Sequence, residues 1–130
     1  MKPIEILKKL IGFPTFQVSA DHVEEGMKDC ARYLSDQLEG LGFKVSVDDL
    51  FNVTGERVFG RKKSFLMNSH FDTVAPAKEW VDALTPKLKG KELIGLGASD
   101  AKGGIAATLS ALSGVDDSRF AKLIVQFVNY

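Results

Sequence analysis

Apolar residues recur along this chain at two periods, and the alternation between them divides it into elements. Pro3 to Ile11 repeats at helical spacing and stops before Gly12 and Pro14, so a short helix is expected there. Phe13-Pro14-Thr15-Phe16 reads as a turn. Asp21, followed three residues later by Glu24, resembles a capping box with a carboxylate in place of the hydroxyl. The helix it opens runs to about Leu41, with Val23, Met27, Cys30, Ala31, Leu34, Leu38 and Leu41 on one face and Gly42 as its stop. Beyond it the period becomes two. Phe43 to Val47, Asn52 to Phe59 and Ser64 to Asn68 read as strands. Leu88 and Leu93-Ile94 flank Lys89-Gly90-Lys91-Glu92 as a hairpin would. Gly103 to Leu112 is a helix rich in small residues. Lys122 to Tyr130 is nearly continuously apolar, the pattern of a central strand covered on both faces.

Helix, strands, helix, strand is the order of a layered α/β/α domain with a mixed, mostly parallel sheet. In such sheets sites gather beyond the C-terminal ends of the strands. The third strand delivers His70 and Asp72 to such an end. The helix after Asp100 is expected to bring its N-terminus nearby.

Composition changes this picture little. The 130 residues suit one domain, and 45% hydrophobic with 26% charged content is ordinary for a globular protein. Seventeen basic and seventeen acidic residues give zero net charge. Neither nucleic acid nor an anionic membrane is therefore expected as a partner. No apolar stretch approaches the ~20 residues that span a bilayer. Charges interrupt the N-terminal helix too often for a signal peptide. The single cysteine, Cys30, permits no internal disulfide and suits a cytoplasmic location.

Two clusters could carry chemistry. In Ser69-His70-Phe71-Asp72-Thr73-Val74, His70 and Asp72 are two apart and point the same way on an extended strand. Both could bind one metal, or the carboxylate could orient the imidazole. Alternatively, His70 is a strand-end histidine and Asp72 caps the turn. In Gly95-Leu96-Gly97-Ala98-Ser99-Asp100-Ala101-Lys102-Gly103-Gly104, Asp100 could bridge two cations or could cap the next helix. Lys102 is unfavourably placed for the dipole of that helix. The stretch is no phosphate loop, since the Gly-Lys-Ser/Thr ending is missing. Cys30 reads as a core thiol, His22 as a solvated helix-start residue and Trp80 as packing or a pocket wall. No serine or cysteine has a base beside it in sequence.

Together the two clusters resemble the co-catalytic di-zinc amidohydrolases and peptidases, a family that includes acetylornithine deacetylase, succinyl-diaminopimelate desuccinylase, aminoacylase and glutamate carboxypeptidase. The first motif, His-any-Asp-Thr-Val-Pro, stands here as His70-Phe71-Asp72-Thr73-Val74-Ala75-Pro76. The second, Gly-Arg-Gly-any-any-Asp-any-Lys-Gly-Gly, stands as Gly95 to Gly104. Trp80 and the hairpin before Gly95 also fall where the family has them. The resemblance implies that His70 binds one zinc and that Asp100 bridges two. Asp72 would act in catalysis by orienting His70 and raising its basicity. It implies a cis Asp100–Ala101 peptide, and hydrolysis of N-acyl amino acids or small peptides by zinc-activated water, with cobalt or manganese as possible substitutes.

The chain departs from the pattern at Leu96, where arginine is usual, at Ala75, inserted before Pro76, and at Asp82, which no proline follows. The family's Glu-Glu pair, later ligands and lid or dimerisation domain have no counterpart up to Tyr130. The expectation is the N-terminal portion of such a catalytic domain over residues 1–130, with weak or no zinc binding and no activity alone. A truncated, non-catalytic relative acting as an interaction module is the alternative. With later elements missing, the last strand would leave apolar surface wet, at ~25 cal/mol per Å². Self-association, or association with the missing C-terminal part, is expected to cover it.

Overall fold

The computed structural model describes residues 2–16, 20–60, 63–115 and 121–129, the side chains of 20–24 excepted. The capping box of Asp21 and Glu24, the side chain of His22 and the strand end at Tyr130 lie outside the described residues. Helix α1 covers Pro3–Ile11, with proline in its first turn, where no N–H is missed. Helix α2 covers Ala20–Gly40. It closes in a Schellman motif: Gly42, at φ 81°, donates to the Glu39 carbonyl and Phe43 to that of Leu38. Arg57 Nη1 donates to the Leu41 carbonyl at 2.7 Å, and its guanidinium lies over the Phe59 ring at 4.8 Å. Helix α3 covers Gly103–Leu112, the bounds expected for it.

The strands are β1 (Lys44–Val47), β2 (Val53–Val58), β3 (Ser64–His70), β4 (Lys87–Lys89), β5 (Glu92–Ile94) and β6 (Lys122–Val128). β4 and β5 form the expected hairpin. The others form one sheet in the order β1-β2-β6-β3. The sheet is mixed, as expected, but mostly parallel pairing is not what this part of it shows. β1–β2 and β2–β6 are antiparallel, and only β3–β6 is parallel. The link between β1 and β2 is too short for the crossover that parallel neighbours need.

The described residues supply one helical layer of the α/β/α arrangement. Ile6, Leu10, Leu34, Leu38, Ile105 and Leu109 from the three helices share a core with Val53, Leu123, Val125 and Phe127. β6 therefore alternates, with Leu123, Val125 and Phe127 buried and the residues between them half-buried. On the other face lie Leu66, 54% exposed, and Val58, 69% exposed, around the Lys122–Glu56 ion pair.

Cys30 sits in that core, and burial pushes its thiol up to about 12. Two outcomes are expected. A thiol reagent at pH 8 should label the chain only after unfolding, because the thiolate is the nucleophile. The contribution of Cys30 to stability should be complete below pH 9.0, the ordinary thiol value, and lost as pH rises to about 12. Denaturant titrations across that window check the second, and fast labelling of the folded chain would contradict the first.

Candidate metal centre

The parallel pair β3–β6 ends at His70 and Val128, side by side in register. β3 runs two residues beyond its expected end because this pairing continues to His70. The chain then leaves the sheet. Phe71 N–H still bonds to the Val128 carbonyl at 2.9 Å, and the Phe71 side chain is fully buried. Phe71 thus anchors the turn that carries His70 and Asp72.

The second half of the site comes from the hairpin exit. Leu96 N–H bonds to the Ala83 carbonyl at 2.8 Å and Ala98 N–H to that of Gly95 at 3.1 Å. Gly97 turns the chain at φ 73°. Ala98–Lys102 forms one wide helical turn whose angles are non-helical at Asp100 and Ala101, and the Asp100–Ala101 peptide is cis, as the resemblance implies. Asp100 does not cap α3: the N-cap is Lys102, without a side-chain capping bond. That leaves the Asp100 carboxylate free to face the sheet end.

It meets His70 there. His70 Nε2 lies 2.9 Å from Asp100 Oδ1, and Nδ1 lies 3.2 Å from Asp72 Oδ1 and 3.3 Å from the Asp72 carbonyl. The three candidate residues, drawn from positions thirty apart, are therefore in contact. Nδ1 faces two acceptors and so carries a proton. Nε2 faces a second carboxylate, that of Asp100. The Asp100 side chain is 88% exposed, whereas that of Asp72 is 21% exposed. A cavity of about 360 Å³ opens over them, lined by His70, Asp72, Thr73, Val74 and residues 95–100. Leu96 stands in its wall, almost fully buried, and among the described residues no charged side chain other than the three candidates lines it. Thr73 Oγ1, beside Asp72, is buried with no partner among the described residues. Trp80 is not in the lining.

An imidazole nitrogen and a carboxylate suit zinc in kind. In number they fall short. Zinc sites use at least three protein ligands, and among the described residues no three His, Cys, Asp or Glu side chains converge on one point.

Sequence reasoning missed the role of Thr15, placed only in a turn. It donates to the Phe71 carbonyl at 2.6 Å from 56 residues away, and no local signal marks such a contact. Lys102 did carry a signal, its awkward position at a helix start. Its side chain is fully buried and its ammonium donates to the Phe13 carbonyl at 3.0 Å. Burial pulls that ammonium down to about 8, with the nearby Cys30 thiol opposing the shift.

Comparison with known proteins finds a family match and a shared fold. The model of peptidase family M20/M25/M40 matches residues 66–128, which carry both clusters. Succinyl-diaminopimelate desuccinylase of Wolinella succinogenes is 36% identical over 119 residues, covering 89% of this chain and 31% of that protein. The structure of human carnosine dipeptidase 1 superposes with a TM-score of 0.84 at 17% identity, over 96% of this chain and 31% of that one. An M20 family metallo-carboxypeptidase from Sulfolobus solfataricus superposes with a TM-score of 0.78 at 24% identity, over 98% of this chain and 30% of that one. At these identities the two structures establish the fold alone. The chain spans about a third of the length of the relatives it matches. Motifs, fold and relatives point the same way, to peptidase family M20/M25/M40, whose model matches residues 66–128 of this chain.

Proposed function

We propose that this chain supplies the first part of a zinc centre that hydrolyses the amide bond of an N-acyl amino acid or a small peptide. The observation that carries the reading is His70 held between two carboxylates, at 3.2 Å from Asp72 and 2.9 Å from Asp100. His70 would hold the metal through Nε2, and Asp100 would hold it, or bridge two ions, through its exposed carboxylate. When bound, zinc supplies the Lewis acidity that activates water and polarises an amide carbonyl. Asp72 keeps the proton on Nδ1, which fixes the ring orientation and makes Nε2 a better donor. Val74 and Leu96 add apolar surface to the cavity lining. Among the described residues no glutamate lines the cavity.

The 130 residues alone are accordingly expected to bind zinc weakly, with a dissociation constant above roughly 1 μM, and to leave N-succinyl and N-acetyl amino acids intact. Calorimetric zinc titration and an amine-release assay read both. Tight stoichiometric zinc or turnover would contradict the reading. Asp72→Asn should weaken what zinc binding there is by roughly 10–100-fold, seen as a higher zinc concentration needed to shift the His70 ring signals. Sequencing the gene past the codon for Tyr130 tests the parent reading. A Glu-Glu pair within a few codons supports it, and its absence counts against it.

The open face of the sheet adds a second part to this reading. The apolar residues it leaves to solvent, Val58 and Leu66 among them, favour self-association of the chain. Light scattering should show mass rising with concentration, and a monomer at high concentration would count against it.

A further inference from the structure

We infer that the segment Phe13–Phe16 is a clasp that sets the two halves of the candidate centre against each other, with Thr15 and Lys102 as its positioning residues. Among the described residues, these two are the polar or charged side chains that are fully buried. Burying such groups is costly unless each makes a bond that matters. Both are engaged with this one segment.

The bonds form a continuous path. The Lys102 ammonium, two residues beyond Asp100, donates to the Phe13 carbonyl at 3.0 Å. The same carbonyl accepts from Thr15 N–H at 2.9 Å. Thr15 Oγ1 donates to the Phe71 carbonyl at 2.6 Å. The Thr15 carbonyl accepts from Thr73 N–H at 2.8 Å, and Phe16 pairs with Thr73 as an isolated parallel bridge. Phe71 and Thr73 flank Asp72 on either side. The clasp thus grips the His70–Asp72 turn at two backbone points and the Asp100 turn at one ammonium. The two halves also touch directly, where Ser69 Oγ donates to the Ala101 carbonyl at 3.5 Å, and the clasp adds to that contact a joint on both sides of Asp72. The 2.9 Å approach of His70 Nε2 to Asp100 Oδ1 depends on a joint of this kind. The consequence for zinc rests on the proposed metal reading, whereas the contact itself does not.

The test is NMR of the ¹⁵N-labelled chain. It holds two histidines, so His22→Gln assigns the His70 ring. Lys102→Met fills the same space without the ammonium. Thr15→Val keeps the shape without the hydroxyl, and Thr15→Ser keeps the hydroxyl. Lys102→Met and Thr15→Val are expected to move the His70 ring nitrogen signals and to weaken zinc binding by roughly 10-fold. Circular dichroism should stay native, and Thr15→Ser should retain the original signals. Unchanged ring signals in folded Lys102→Met and Thr15→Val would overturn the clasp, as would Thr15→Ser behaving like Thr15→Val. If Thr15→Val fails to fold, Lys102→Met decides the question, because its packing is preserved. Ring signals that move in these variants uphold the clasp whatever the zinc affinity of the chain, and the metal reading stands or falls separately on the zinc titration and on the sequence that follows Tyr130.

Discussion

Phe71→Ala is expected to destabilise the chain by about 3–5 kcal/mol, the usual cost of emptying a buried aromatic site. The side chain is fully buried and belongs to the main core. It also lies between the two residues of the first motif, so its loss acts twice. The cavity lowers stability, and the turn carrying His70 and Asp72 loses the weight that holds it down. The backbone bonds of Phe71 to Val128 and Thr15 remain available, so the strand end should persist while the ring of His70 becomes mobile. Against a total of about 5–15 kcal/mol for a domain, the loss should be plain in a urea titration. A shift smaller than about 1 kcal/mol would mean that the site collapses around the missing ring at little cost, and the anchoring role would fall.

Gly97→Ala should be nearly as damaging, by about 2–5 kcal/mol from two separable causes. The backbone there is left-handed, at φ 73°, which costs an L-residue about 1–2 kcal/mol. A Cβ would also stand 2.5 Å from Thr73 Cγ2 and 3.2 Å from Lys102 Cδ, contacts of the overpacking kind that cost about 1–3 kcal/mol. The second cause can be removed. Thr73→Ser deletes the methyl, so the double variant Gly97→Ala/Thr73→Ser should recover the steric part and keep the backbone part. A double-mutant cycle by denaturant unfolding measures that coupling. Additive losses would show that Gly97 and Thr73 do not press on one another. Because Thr73 neighbours Asp72 and Lys102 neighbours the Asp100 turn, the single variant should also disturb the His70 ring signals.

Much of this arrangement was legible before any coordinates. The apolar face of α2 from Met27 to Leu38, its stop at Gly42, the hairpin around Gly90 and the bounds of α3 all follow from periodicity and turn chemistry, which act over a few residues. His70, Asp72 and Asp100 were legible as candidates because their motifs combine residue types with spacing. On local grounds alone, the competing idea that Asp100 caps α3 was the better one. It fails because the turn at Gly97 and the wide helical turn after it carry the carboxylate away from the helix end.

The sequence by itself determined which segments are helix and which are strand, which faces are apolar, and which three side chains could carry the chemistry. Those properties depend on neighbours a few positions apart. Only the tertiary structure decided that β6 lies between β2 and β3, and that antiparallel pairings outnumber the parallel one in this sheet. It also decided that the helices share one face of that sheet, and that His70 touches both carboxylates. It alone revealed that Thr15 and Lys102 meet through the Phe13–Phe16 segment. The reason is physical. A hydrogen bond between residues 56 or 89 positions apart leaves no mark on local propensity, because its partners become neighbours only once the core has closed.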